Sequence, residues 1–184
     1  MRTQSHHLLA VCATVMLALP ALAACAPAPT PVPSQTAAAT DAPVFASDEE
    51  ALAAAKKAYA AYLKASDAIT GDGGQDPERI ATFVSDDLLN SELQGFAGYA
   101  AAGAHSVGST TFKVLGVQSI ESSGALISLY ICEDVSGLDV VDAEGVTLVS
   151  PSRKPITPFE VGFEMGDDSL ILGYRGVWEG GSFC

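Results

Sequence analysis

Apolar residues recur at three- and four-residue steps early in the chain: Leu52, Ala55, Tyr59, Tyr62 and Leu63 share one face of a helix. Ser47-Asp48-Glu49-Glu50 stands just before them. It offers a serine to accept from the third helical amide and a glutamate to reach back, so order is expected to begin near Ser47. Lys56, Lys57 and Lys64 come later, where they suit the negative pole of the helix. Gly71-Asp72-Gly73-Gly74 breaks the run. Asp76-Pro77-Glu78-Arg79 restarts it, with Asp76 as the cap and proline in the first turn, and Ile80, Phe83 and Val84 form a short apolar face. A third helix opens at Ser85 or Asp86, with Leu89, Leu93, Phe96 and Tyr99 on one side. It dissolves in a Gly/Ala-rich connection over 103–109 that carries His105.

After Thr110 the period falls from 3.6 to 2. Residues 111–120 and 125–133 flank Ser122-Ser123-Gly124 and predict a hairpin. Val140-Val141 and 146–149 flank Asp142-Ala143-Glu144-Gly145 and predict a second. Phe159, Val161, Phe163 and Met165 alternate with Glu160, Gly162 and Glu164, one face dry and one wet. Gly166-Asp167-Asp168 then turns the chain into a last strand over 169–178. Helices followed by an antiparallel meander predict an α+β fold: about three N-terminal helices packed on a curved sheet.

That order resembles the nuclear transport factor-like cone shared with ketosteroid isomerases and polyketide-cyclase-type proteins. The likeness is architectural, spans 47–184 and carries no motif. A second resemblance rests on Tyr130-Ile131-Cys132-Glu133-Asp134-Val135-Ser136-Gly137, Asp142-Ala143-Glu144-Gly145, Arg153 and Gly181-Ser182-Phe183-Cys184. These look like small actinobacterial surface lipoproteins. The resemblance implies a surface lipoprotein with this fold; it brings no substrate and no catalytic residues.

The amino-terminal segment changes the picture most. Residues 8–22 form an apolar run interrupted by Pro20, shorter than the roughly 20 apolar residues of a permanent span. Its length suits the central region of an export signal. The junction Leu22-Ala23-Ala24-Cys25 resembles the lipobox of bacterial lipoprotein signals. That resemblance implies cleavage after residue 24 and a diacylglyceryl group on Cys25, two acyl chains being enough for stable anchoring. An ordinary secreted protein cut at an Ala-x-Ala site and an uncleaved anchor are the alternatives. The expected organisation is a signal peptide over 1–24, a lipidated cysteine with an Ala/Pro/Thr-rich tether over 25–46, and a single domain over 47–184. The expected location is the outer face of the cell membrane. Alternating prolines favour extended polyproline geometry, so about twenty tether residues reach up to ~60 Å.

The formal net charge is −13, and Arg2 is the only charged residue of the first 24. Such a balance disfavours nucleic acid and anionic lipid as partners, because both recruit Lys and Arg. The scattered acidic residues read as a solvated surface, with a cation-binding or basic-partner surface as the sharper alternative.

Of four cysteines, Cys12 leaves with the signal and Cys25 is committed to lipid. Cys132 and Cys184 remain, an even pair in an exported domain, and a disulfide is expected; free thiols or a reactive nucleophile are the alternatives. With about fifty residues enclosed, the chain-entropy account gives roughly 4 kcal/mol.

No metal, cofactor or catalytic constellation is legible. His105 stands without neighbouring ligands, and each acidic pair falls at a helix start or turn, where Asp and Glu are expected anyway. The cone architecture encloses a pocket between its long helix and its sheet. Its candidate lining is Tyr59, Tyr62, Tyr130, Tyr174 and Trp178; Arg175 either pairs a buried acid or faces water. The aromatic residues read equally well as core. Three functions follow: a non-catalytic binding or interaction module for a protein or cell-wall partner, an apolar-ligand carrier, or an isomerase/cyclase-type enzyme.

Overall fold

The computed structural model describes residues 44–121, 123, 125–181 and 183–184. The export signal, Cys25 and all but the last three residues of the tether lie outside these, as do Ser122 and Gly124 of the first predicted turn. Among the described residues no helix is long and apolar enough to cross a membrane. The domain is α+β. Helix α1 (Asp48–Gly71), a 3-10 helix (Pro77–Thr82) and helix α2 (Asp86–Ala102) precede strands β1 (His105–Gly108), β2 (Thr111–Ile120), β3 (Leu126–Asp134), β4 (Leu138–Val141), β5 (Ile156–Met165) and β6 (Leu170–Val177).

Helix α1 starts as its sequence dictates. The Ser47 hydroxyl accepts from the Glu50 amide at 3.2 Å, and the Glu50 carboxylate reaches back to the Ala46 amide at 2.8 Å. Ala55, Tyr59, Tyr62 and Leu63 are buried and Leu52 packs against them. No basic side chain lies in the last turn; there the Thr70 hydroxyl donates back to the Ser66 carbonyl at 3.1 Å.

Asp76 does not cap as predicted. It takes a left-handed conformation at φ 47° with no side-chain cap bond, and the segment after it winds as a 3-10 helix. Six residues are held there between two longer helices, and the tighter winding ends where Phe83 and Leu172 exchange a backbone bond. Ser85 does cap α2, and Gly103 ends it in a left-handed conformation.

A four-stranded antiparallel sheet runs in the order β2-β3-β5-β6, and β1 pairs with β4 in a separate two-stranded sheet. Two expectations therefore fail. His105 sits in β1, opposite Val141, rather than in a connection. Val140-Val141 pairs mainly with β1; the predicted return strand at 146–149 makes only a bridge from Thr147 to Val141. The Asp142 carboxylate accepts the Glu144 and Val146 amides, and that turn uses up the residues a hairpin would need.

The core lies between α1 and the inner sheet face. Ile127, Leu129 and Ile131 of β3, Phe159, Val161 and Phe163 of β5, and Leu170 and Leu172 of β6 pack against Ala55, Tyr59 and Leu63. The β5–β6 register slips between Gly162 and Phe163, so that Gly173 has no partner across the ladder. This bulge shifts the alternation by one: Leu172 points in, and beyond it Arg175, opposite buried Val161, points in while Tyr174 points out.

Gly74 marks the closest approach of the connection to α2. Its φ is +79°, and a Cβ there would stand 2.2 Å from the Phe96 carbonyl oxygen. Gly74→Ala is expected to cost at least about 2 kcal/mol, read as a lower urea midpoint with unchanged slope. An unaltered midpoint would show that the helix–helix corner yields freely.

Candidate functional site

Three residues from three elements meet under the long helix. The Tyr59 hydroxyl, on α1, donates to Glu133 Oε2 at 2.6 Å. Arg175 Nη2, on β6, donates to Glu133 Oε1 at 2.7 Å, and Arg175 Nε donates to the Tyr59 oxygen at 3.3 Å. The arginine lies over the Phe159 ring, its guanidinium carbon 3.9 Å from the centroid. Tyr59 is 0% exposed and Glu133 7%. Beside the triad, the Tyr62 hydroxyl donates to Glu92 Oε1 on α2 at 3.1 Å.

Burial is the leading cause of the perturbed titrations here. It pushes both tyrosine hydroxyls well above their ordinary value, and the negative charge of Glu133 adds to this at Tyr59. Burial also raises Glu92, against the Tyr62 hydrogen bond and the Arg175 charge, which pull it down. Among the described residues no buried side-chain nitrogen or oxygen lacks a partner, and no group of three His, Cys, Asp or Glu is placed to hold a metal ion.

Of the six candidate pocket residues, Tyr59, Tyr62 and Arg175 come together on the inner face. Tyr130, Tyr174 and Trp178 do not join them. Tyr130 stands on the outer face of β3, its ring 4.9 Å from Trp178 and 5.7 Å from Phe183. Tyr174 is 52% exposed on the outer face of β6, for the reason the Gly173 bulge supplies. Cys132, next to Glu133 in β3 and facing the other way, is bonded to Cys184. The disulfide and the Tyr130–Trp178–Phe183 cluster thus hold the last residues over the outer face.

Glu133 and Glu92 were missed in the sequence. Glu133 follows three strand residues whose alternation, Ile127, Leu129 and Ile131, places it inward, and that period was the available signal. Glu92 carried none, since a helix-surface glutamate next to an apolar stripe is ordinary.

A flank groove of about 410 Å³ lies elsewhere, bordered by Phe45, Ala58, Phe83, Met165 and Leu170, with Lys57 and Asp168 among its lining residues. None of the six candidates lines it.

No family model matches the chain, and no curated protein matches it. Among solved structures it is similar to the intermembrane space region of chloroplast protein ARC6, at 13% identity and a TM-score of 0.47, covering 67% of this chain and 92% of that one. It is also similar to Aln2 from a Streptomyces species, at 18% identity and a TM-score of 0.45, covering 71% of this chain and 90% of that one. At these scores neither likeness bears on function.

Two outcomes follow from the network. Glu133→Gln, which leaves a buried guanidinium without its counter-charge, is expected to cost about 3 kcal/mol in urea unfolding. The apolar triple replacement Tyr59→Phe, Glu133→Leu, Arg175→Met regains part of that; a triple variant less stable than the single one would refute the account. For Glu92, the raised folded-state pKa means that the folded chain binds the extra proton. Its contribution is therefore full below the unfolded value of about 4.5 and is lost as pH rises through the folded value. Glu92→Gln should accordingly be more stable than the parent at pH 7, and the two should converge as pH falls below about 4.5; parallel pH curves would contradict this.

Proposed function

We propose that this protein is a non-catalytic, extracytoplasmic binding module, lipid-anchored through Cys25 at the outer face of the membrane. The observation that carries the binding reading is the contrast between the two sheet faces. On the inner face Glu133 has spent both carboxylate oxygens, one on Tyr59 and one on Arg175. A base so occupied is a structural pin, not a proton acceptor awaiting substrate. On the outer face Tyr174 and Phe183 are exposed beside half-buried Tyr130 and Trp178, and exposed clustered aromatic surface is a mark of interaction sites.

The anchor rests on the Leu22-Ala23-Ala24-Cys25 junction and the short apolar run before it; the Cys132–Cys184 bond suits an oxidising compartment. The small actinobacterial lipoprotein and the nuclear transport factor-like cone belong to the same reading. The cone is supported by a long helix laid across an antiparallel sheet, with Tyr59, Leu63 and Phe163 filling the interior.

A second reading, a carrier of small apolar ligands, is favoured by the flank groove, whose volume and apolar lining fall in the range of ligand sites. Saturable thermal stabilisation by a medium-chain lipid, abolished by Ala58→Trp, would select it over the first.

For the anchor, wild-type protein is expected to take up a clickable fatty acid and fractionate with membranes, and Cys25→Ala to lose both properties. Label retained on the variant would overturn it. For the binding reading, a photo-crosslinking residue at 174 is expected to capture a discrete partner in cells, and one at 144, in a distant turn, is not.

A further inference from the structure

The outer face has a centre. In the β3–β5 ladder Tyr130 stands opposite Glu160, and in the β5–β6 ladder Glu160 stands opposite Gly176. Gly176 matters because the Tyr174 ring lies across it: a Cβ at Gly176 would meet the Tyr174 hydroxyl oxygen at 2.2 Å and its ring at 2.7 Å. Two residues further along the same face, Trp178 donates its backbone amide to Pro158 and brings its ring to 4.9 Å from Tyr130. A Cβ at Gly180 would stand 2.3 Å from the indole, so this ring too is laid flat over a glycine. Glu160 is thereby flanked across the ladders by Tyr130 and by the hydroxyl end of Tyr174, with Trp178 beyond Pro158.

A carboxylate among aromatic rings is the arrangement that receives an organic cation. The ring faces are negative, the carboxylate supplies a full charge, and both attract an ammonium or guanidinium with an apolar stem. Glu160 makes no ion pair with any described residue. Glu164 faces the same side, Lys113 stands there on the far strand β2, and the chain has 22 acidic against 9 basic residues. The face is open rather than enclosed, which suits side chains presented by a macromolecule better than a free small cation.

We propose that the outer face around Glu160 docks a lysine- or arginine-rich segment of a protein partner, one basic side chain seated among Tyr130, Tyr174 and Trp178. This rests on the binding reading above and narrows it to a chemistry.

Trp178 is the only tryptophan of the chain, so its fluorescence reports the face directly. Octa-lysine and octa-arginine titrated into the intact domain are expected to change that emission saturably, and to bind more weakly as salt shortens the Debye length from about 8 to about 3 Å. Tyr174→Ala and the isosteric Glu160→Gln should each weaken binding about two- to fivefold. Glu144→Gln removes the same charge from an exposed turn elsewhere and should leave binding unchanged. Equal losses for Glu144→Gln and Glu160→Gln would mean general attraction to an acidic protein and overturn the site. So would saturation by a neutral chitin oligosaccharide without response to either peptide, or full binding by Tyr174→Ala. A face that crosslinks to a partner at position 174 yet ignores both peptides keeps the binding reading and rejects the cationic one.

Discussion

The bond between Glu133 and Arg175 is the constraint around which the domain is arranged. It ties β3 to β6 across the intervening strand, and Tyr59 ties both to the long helix. A buried ion pair is a poor source of net stability, because the desolvation of both charges offsets their attraction. What it supplies is selectivity. An apolar helix face slides over an apolar sheet with small penalties, whereas a tyrosine hydroxyl with one acceptor in reach admits one placement. Every other inner contact, from Ala55 to Phe163, is compatible with several placements, and the triad selects among them.

Secondary contacts reinforce the same placement at the other end of the helix. The Asp67 carboxylate receives the Thr110 amide and hydroxyl at 2.8 and 2.9 Å, and Thr70 shares a hydrogen bond of 2.7 Å with Ser106. The helix is thus fixed by polar contacts at two places, one set under it and one beside the two-stranded sheet. Between them the contacts are apolar, Leu63 among them.

Much of this was legible in the residues. The capping box at Ser47, the start of α2 at Ser85 and the span of β2 follow from short-range rules, where one side chain answers to one neighbouring backbone group. The misses have a common cause. Asp76, His105 and the return strand after Gly145 were assigned from local preference, and in each case a contact beyond the local pattern decided. The connection over 76–85 is held where Phe83 and Ser85 bond to Leu172, and β1 takes β4 as its mate. The candidate site divided for a similar reason. Period-2 counting from Leu172 places Tyr174 inside and Arg175 outside, and no pattern in the sequence announces that the count slips by one at Gly173.

That slip uncouples the length of the strand from the facing of its side chains. Gly173 is the extra residue, so a related chain without it would run from Leu172 to Tyr174 in plain alternation and still send the phenol out and the guanidinium in. A chain that kept the residue but paired it across the ladder would do the opposite, delivering a phenol to Glu133 and a guanidinium to the surface. Loss of the glycine also removes the carbonyl that accepts the Ser85 hydroxyl at 3.3 Å, so the shorter strand would grip the start of α2 less firmly. Descendants of this fold can therefore drop one letter at position 173 and keep the inner triad, whereas a deletion at Tyr174 or Gly176 has no such tolerance.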